Sequence, residues 1–353
     1  MADKSILREK DKLVLHLIVE HYLESGGPVS SGMLFQRKSF AGSPATLRNI
    51  MVRLEDRGFL SQPHTSSGRI PTDQGLRFYV NSLFAEIPFS REESLFVPES
   101  LAAGEGNLDS LLIQVSRTLA EHSDNLGFVI TPRLSQVHFR NLRFMKISEN
   151  KIMIILITPF QMVLTQIVES KAPFTQVELD RAAQYINLNF RGKNLVSIRD
   201  FLIQELPKYR LKYEDIINKL SVLVRTYINQ EQTENRIIFQ GASKLLDKAE
   251  LFDMEKLKSL FRNFEEKANL TRLLSDFISL ERVKVLIGSE SNNPSIQDCS
   301  LVISHYGYSN QVLGSLGIIG PKRIPYERII PLVDSVAKRL SRALGSMDQE
   351  VML

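Results

Sequence analysis

The tightest constraint on the fold is the punctuation of the first 60 residues. Val14, Leu17, Ile18 and Tyr22 fall at i, i+3, i+4 and i+8, which predicts an amphipathic helix over 11–25, ended by Gly26-Gly27-Pro28. A second helix is expected from Ser31 to about Lys38, broken by Ala41-Gly42. Ser43-Pro44 then supplies an N-cap and a first-turn proline for a third helix that runs to Arg57, where Gly58 closes it. Three short helices joined by tight turns make a helix-turn-helix core. Phe59-Leu60 and Ile70-Pro71 are extended around the turn formers Pro63 to Gly68, and a helix capped by Thr72 carries Leu76, Tyr79, Val80 and Leu83. That order predicts a wing and a closing helix.

The third helix has two chemically distinct faces. With Leu47 at zero and 100° per residue, Ile50, Met51 and Leu54 fall within about 60° of it and form the buried side. Ala45, Asn49 and Asp56 point away, flanked by Thr46, Arg48 and Arg53. Ser43, Thr46, Arg48, Asn49 and Arg53 suit a major groove, since Arg forks to guanine, Asn pairs with adenine and hydroxyls take either role. His64, Thr65, Ser66 and Arg69 lie on a turn able to reach a DNA backbone or minor groove. Between Arg37 and Arg77 stand seven basic residues against three acidic ones, a local excess equal to the net charge of +4 of the whole chain. Each feature alone also fits an ordinary solvated helix or loop; it is their order that points to nucleic acid.

Beyond this unit, Ile87 to Asn107 shifts to Pro, Glu, Ser and Gly and reads as a linker. A helix is expected over 108–122, strands at 126–131, 139–147, 151–158 and 162–169, and long helical patterns over 176–230 with apolar positions such as Leu188, Phe201, Leu206, Ile217 and Leu220. A short strand at 237–239, helices to about 275, strands at 283–288, 300–306 and 311–319, and a helix over 326–344 complete the chain. Gly314, Gly317 and Gly320 are spaced either as an anion cradle or as turn and close-packing glycines; the second is favoured.

Other classes find little support. Cys299 is the only cysteine, so no intrachain disulfide or cysteine-based zinc site can form. The charged amino terminus lacks a signal-peptide core and the apolar runs are too short to span a bilayer, so a soluble, cytoplasmic protein with no membrane partner is expected. The six histidines form no His-Glu-x-x-His pair, and neither a Gly-x-Ser-x-Gly elbow nor a phosphate loop is present, so neither catalysis nor a metal or cofactor is expected.

The run Ser43-Pro44-Ala45-Thr46-Leu47-Arg48-Asn49-Ile50-Met51, then Leu54-Glu55, then Gln62 to Thr72, resembles the amino-terminal signature of the HrcA family of heat-shock repressors. Val285 to Glu290, Leu313 to Arg323 and Tyr326 extend the resemblance over nearly the whole chain, although Ile324-Pro325 replaces a Met-acidic pair common in the family. The resemblance implies an α+β multidomain protein: a winged helix-turn-helix over 1–86, a linker over 87–107, a GAF-like domain over 108–132 and 233–345, and an inserted α/β dimerisation domain over 133–232. The strand order agrees with that plan. It further implies a homodimer on an inverted-repeat operator in double-stranded DNA, repression of chaperone operons, and an active state maintained by the GroE chaperonin. The alternative is a winged-helix repressor controlled by a small ligand in the GAF-like domain.

Overall fold

The computed structural model describes residues 7–36, 43–64, 68–86, 108–132, 140–157, 163–169, 173–193, 237–248, 255, 283–291, 294–308 and 311–350. Helix α1 (Glu9–Ser25) ends at Gly26, whose φ of 75° lets its amide reach Tyr22 O at 2.9 Å. Helices α2 (Ser31–Gln36) and α3 (Pro44–Asp56) follow. Strands β1 (Leu60–Ser61) and β2 (Ile70–Pro71) pair antiparallel, and Val29 exchanges both backbone bonds with Arg69, adding a third extended segment to the hairpin. Thr72 starts α4 (Asp73–Glu86): its Oγ1 accepts the Gly75 amide at 3.2 Å and donates to Gly58 O at 2.6 Å. The buried stripe of α1 is broader than its sequence spacing predicts, taking in Leu15 and Val19. The cause is that α1 packs against α3, α4 and β2 at once. The expected linker over 87–107 lies outside the described residues.

Downstream come α5 (Leu108–Ser123), β3 (Leu126–Ile130), β4 (Asn141–Lys146), β5 (Lys151–Ile157), β6 (Val163–Glu169) and α6 (Gln176–Phe190). Then follow β7 (Ile237–Gln240), α7 (Ala242–Leu246), β8 (Lys284–Ile287), β9 (Cys299–Tyr308), β10 (Gln311–Pro321) and α8 (Tyr326–Glu350). The helical patterns expected over 194–230 and 256–275 lie outside the described residues. Strands β7-β3-β10-β9-β8, in that order, form an antiparallel sheet. Helices α5 and α8 lie against one face, and Leu245 and Ile296 pack on the other with Phe128, Cys299 and Leu301 of the sheet, which is why all five residues of β3 are buried and apolar. Gly314, Gly317 and Gly320 lie in β10 and serve close packing: a Cβ on Gly317 would sit 2.1 Å from Val302 O, and one on Gly314 would sit 2.4 Å from Ile130 O.

Strands β4-β5-β6 form a separate antiparallel sheet. Leu142, Phe144, Ile152, Ile154, Leu156 and Val168 are buried, as are Leu179, Ala182, Ala183, Ile186 and Phe190 of α6, which packs on β4. The helix also completes the outer edge of β4: Asn187 accepts the Leu142 amide at 2.8 Å and donates to Leu142 O at 2.9 Å, while Gln176 bonds the Lys146 amide and Phe144 O, each at 2.9 Å. An edge satisfied by side-chain amides offers little to a foreign strand. Across the other face, Met145, Met153 and Ile167 stand in one cross-strand row, beside Ile155, Ile157 and Val163. Met145, Val163 and Ile167 are exposed.

The amino-terminal helices and the body share a continuous apolar cluster that includes Leu76, Tyr79, Val285, Ile287 and Tyr326. Polar links surround it. Asp73 accepts Lys322 Nζ at 2.8 Å and both the amide and hydroxyl of Ser289 at 3.0 Å. Arg77 forks onto Glu290, with Nε to Oε1 at 2.7 Å and Nη2 to Oε2, and donates to Val285 O at 2.6 Å. Arg323 donates to Leu23 O at 3.2 Å and Glu24 O at 3.3 Å, the last-turn carbonyls of α1. Burial is the largest influence on the Asp73 carboxyl and pushes its pKa up. The Lys322 and Ser289 contacts together outweigh it, leaving the pKa below its ordinary value. A depressed folded pKa means that this contribution is present at neutral pH and is lost as pH falls through the ordinary aspartate range to the lowered value.

The packing of β10 sets a test. Gly317→Ala is expected to destabilise the protein by about 1–3 kcal/mol, because backbone and the Phe128 ring occupy the space a methyl needs. Gly27→Ala, with nothing within 4 Å of its Cβ, is expected to change stability by less than about 1 kcal/mol. Urea unfolding of the two variants checks this; equal midpoints would contradict the packing assigned to β10.

Candidate nucleic-acid interface

Helix α3 is held from one side and open on the other. Leu47, Ile50, Met51 and Leu54 are buried, while Ser43, Ala45, Thr46, Arg48, Asn49, Val52 and Asp56 are exposed. Ser43 anchors the amino end: its Oγ accepts the Thr46 amide at 3.2 Å and lies 3.0 Å from Thr46 Oγ1. With 13 residues the helix is about 20 Å long, and a side-chain-clad helix fits a major groove about 12 Å wide. Thr46, Arg48 and Asn49 thus share the outward face with the small Ala45 between them, so a duplex edge can approach the backbone closely.

Two arginines named from the sequence are engaged within the protein. Arg53 Nη2 donates to Asp11 Oδ1 at 2.6 Å; the Asp11 side chain is 3% exposed and that of Arg53 41%. The pair ties α3 to the start of α1. The guanidinium of Arg69, 14% exposed, donates to Glu55 Oε2 at 2.8 Å and so fastens the hairpin to the last turn of α3. Gly68 is required next to it, since a Cβ there would fall 2.5 Å from the Val29 carbonyl. His64 is exposed at the start of the hairpin tip. Thr65 and Ser66 lie outside the described residues.

Sequence reasoning did not assign a role to Asp73, Arg77, Ser289, Glu290, Lys322 and Arg323, although four of the six fall in the runs Val285–Glu290 and Leu313–Arg323 that carry the family resemblance. The structure brings those two runs together against α4 and the end of α1. The signal available in the sequence was the presence of charged residues beside glycines in both runs.

A family model described as the HrcA protein C-terminal domain matches residues 109–330. The chain is similar to the heat-inducible transcription repressor HrcA of Geobacter sulfurreducens, 33% identical over 96% of this chain and 98% of that protein. It is also similar to the repressor of that name from Xanthomonas euvesicatoria, 35% identical over 98% of each chain. Among solved structures, a crystal structure described as a hypothetical protein superposes with a TM-score of 0.65 at 23% identity, covering 97% of this chain and 100% of that one, a likeness of fold.

The two kinds of arginine on α3 are separable by stability. Arg53→Ala leaves the buried Asp11 carboxylate without its cation and is expected to cost about 1–3 kcal/mol. Arg48→Ala, on the exposed face, is expected to stay within about 0.5 kcal/mol of the parent. Chemical denaturation of both variants decides; an Arg48 variant as unstable as the Arg53 variant would mean that the outward face is structural.

Proposed function

We infer, from the premise that the chain belongs to the HrcA family, that it is a heat-inducible transcription repressor acting in the cytoplasm as a DNA-binding homodimer. In this reading residues 1–86 are a winged helix-turn-helix, joined through 87–107 to a GAF-like domain over 108–132 and 233–345 that carries an inserted dimerisation domain over 133–232. Helix α3 enters the major groove. Thr46, Arg48 and Asn49 meet base edges, Ser43 and the amino end of α3 meet phosphate, and the hairpin with His64, Thr65 and Ser66 follows the backbone. Arg53 and Arg69 hold the helix and hairpin in place for that contact. The observation that carries the reading is the set Thr46, Arg48 and Asn49 exposed on a helix whose opposite face is wholly buried.

The apolar row and its neighbours on the open face of the β4-β5-β6 sheet, interspersed with Arg143 and Thr165, support the homodimer. A row of Met145, Met153 and Ile167 in contact with water is costly, and pairing the face with its copy around a two-fold axis removes it. A symmetric protein in turn calls for an inverted-repeat operator. Dependence on the GroE chaperonin is supported by the topology: Ser315 pairs with Ile130 and Ile319 with Leu126, so the sheet closes only after nearly two hundred intervening residues have been accommodated. Non-local closure of this kind is slow and leaves apolar surface exposed on the way.

The operator test uses a duplex selected by the protein from a random pool, with a scrambled duplex at the same salt as reference. Arg48→Ala and Asn49→Ala are each expected to weaken the selected duplex by roughly 1–3 kcal/mol and to leave the scrambled one nearly unchanged. Equal losses on both duplexes would remove α3 as the reading element. In the same assay, binding lost on mild heating should return with added chaperonin, and a denatured competitor should cancel that return. Light scattering tests the dimer: Ile155→Glu, at the centre of the open face, is expected to reduce the mass to that of a single chain. An unchanged dimer would place the interface elsewhere.

A further inference from the structure

We propose that Asp73, Arg77, Glu290, Lys322 and Arg323 are positioning residues: they clasp the DNA-reading unit to the body at one orientation and thereby set the separation of half-sites that the dimer accepts. The proposal rests on the operator-binding reading above and adds to it a determinant of specificity that touches no base.

The clasp grips the reading unit at two separate points. Asp73 and Arg77 fix the first turns of α4, and Arg323 fixes the carboxyl end of α1. Helix α3 packs on α1 and is tied to it by Arg53 and Asp11, so α3 moves with the gripped elements as one body. A single grip would leave a swivel; two grips on different helices define an orientation.

The signs of the contacts also fix their register. Along α4 an anion (Asp73) meets a cation (Lys322), and one turn later a cation (Arg77) meets an anion (Glu290). Sliding by one turn in one direction would oppose Asp73 to Glu290, and in the other direction Arg77 to Lys322, and such like-charge contacts exclude either shifted arrangement. Close shape matching adds to this. A Cβ on Gly288, whose φ is 54°, would lie 2.3 Å from Asp73 Oδ2, and one on Gly26 would lie 1.8 Å from Arg323 Nη1.

The body presents its half of the clasp on a braced frame. Tyr326, fully buried, donates to Lys322 O at 2.8 Å and lies 2.6 Å from Ser300 Oγ, which pins the loop between β10 and α8. Glu290 Oε2 accepts the Ile287 amide at 2.9 Å and Ser291 Oγ donates to Gly288 O at 3.0 Å, which pins the turn after β8. Partners held this way add little ordering cost when the reading unit docks. A helix-turn-helix dimer must present its two recognition helices one DNA turn or a multiple of it apart, so the orientation of each unit on its body becomes spacing selectivity.

The experiment uses the full chain and its selected inverted repeat, the same repeat with two base pairs inserted between half-sites, and a duplex holding a single half-site. The parent is expected to prefer the native spacing by about tenfold or more. Lys322→Met should flatten that preference to less than about threefold while half-site affinity and dimer mass stay unchanged, and Lys322→Arg should retain it. Ser289→Ala, which removes one hydrogen bond at an exposed position, should lower the preference part of the way and serves if Lys322→Met fails to fold. Full retention of spacing preference in Lys322→Met, or an equal loss on the half-site duplex, overturns the proposal. A parent chain that selects no duplex at all overturns the operator reading itself, and the proposal with it.

Discussion

The burial of one side of α3 is the constraint on which the candidate site depends. Leu47, Ile50, Met51 and Leu54 leave the helix a single way to lie against α1 and its neighbours, and that choice dictates which side chains are offered to a partner. The Arg53–Asp11 pair reinforces it. A carboxylate shielded from water is strongly unfavourable without a cation, so rotating α3 about its axis would cost both the apolar contacts and that pair. Thr46, Arg48 and Asn49 are presented together because the alternatives are so costly.

The same dependence of surface on interior runs through the rest of the molecule. In β10, glycines at every third position let Val302 O, the Phe128 ring and Ile130 O come closer than any side chain would permit, and this is how a strand from near the end of the chain inserts between β3 and β9. Tyr306 donates to Ile130 O at 2.7 Å in the space beside Gly314, and burial pushes its phenol pKa well above the usual range. In the smaller sheet, α6 closes the outer edge of β4 with Asn187 and Gln176 and covers one face, leaving Met145, Val163 and Ile167 exposed on the opposite one.

What the sequence disclosed follows from range. The helix caps at Ser43 and Thr72, the stop at Gly58 and the buried faces of α3 and α4 depend on residues within a few positions of one another, and their periodicity exposes them. The fates of Arg53 and Arg69 were not legible: both have the chemistry of a phosphate contact, and only the fold brings Asp11 and Glu55 to them. The clasp was hidden for the same reason, since Arg77 and Glu290 are 213 positions apart and Lys322 and Asp73 are 249 apart. The spacing of Gly314, Gly317 and Gly320 was compatible with two uses, and only the atoms facing each glycine separate them.

The proposed seat of the outward face of α3 is the major groove of a specific duplex. Photo-crosslinking from position 45 is the test, because Ala45 is a small side chain exposed at the middle of that face. With the selected duplex bound, crosslinks are expected at the same major-groove bases in both half-sites, and none from a probe at Val177, an exposed position on α6. Crosslinks of equal yield from both positions, or a protected duplex with no crosslink from position 45, would mean that α3 does not enter the groove.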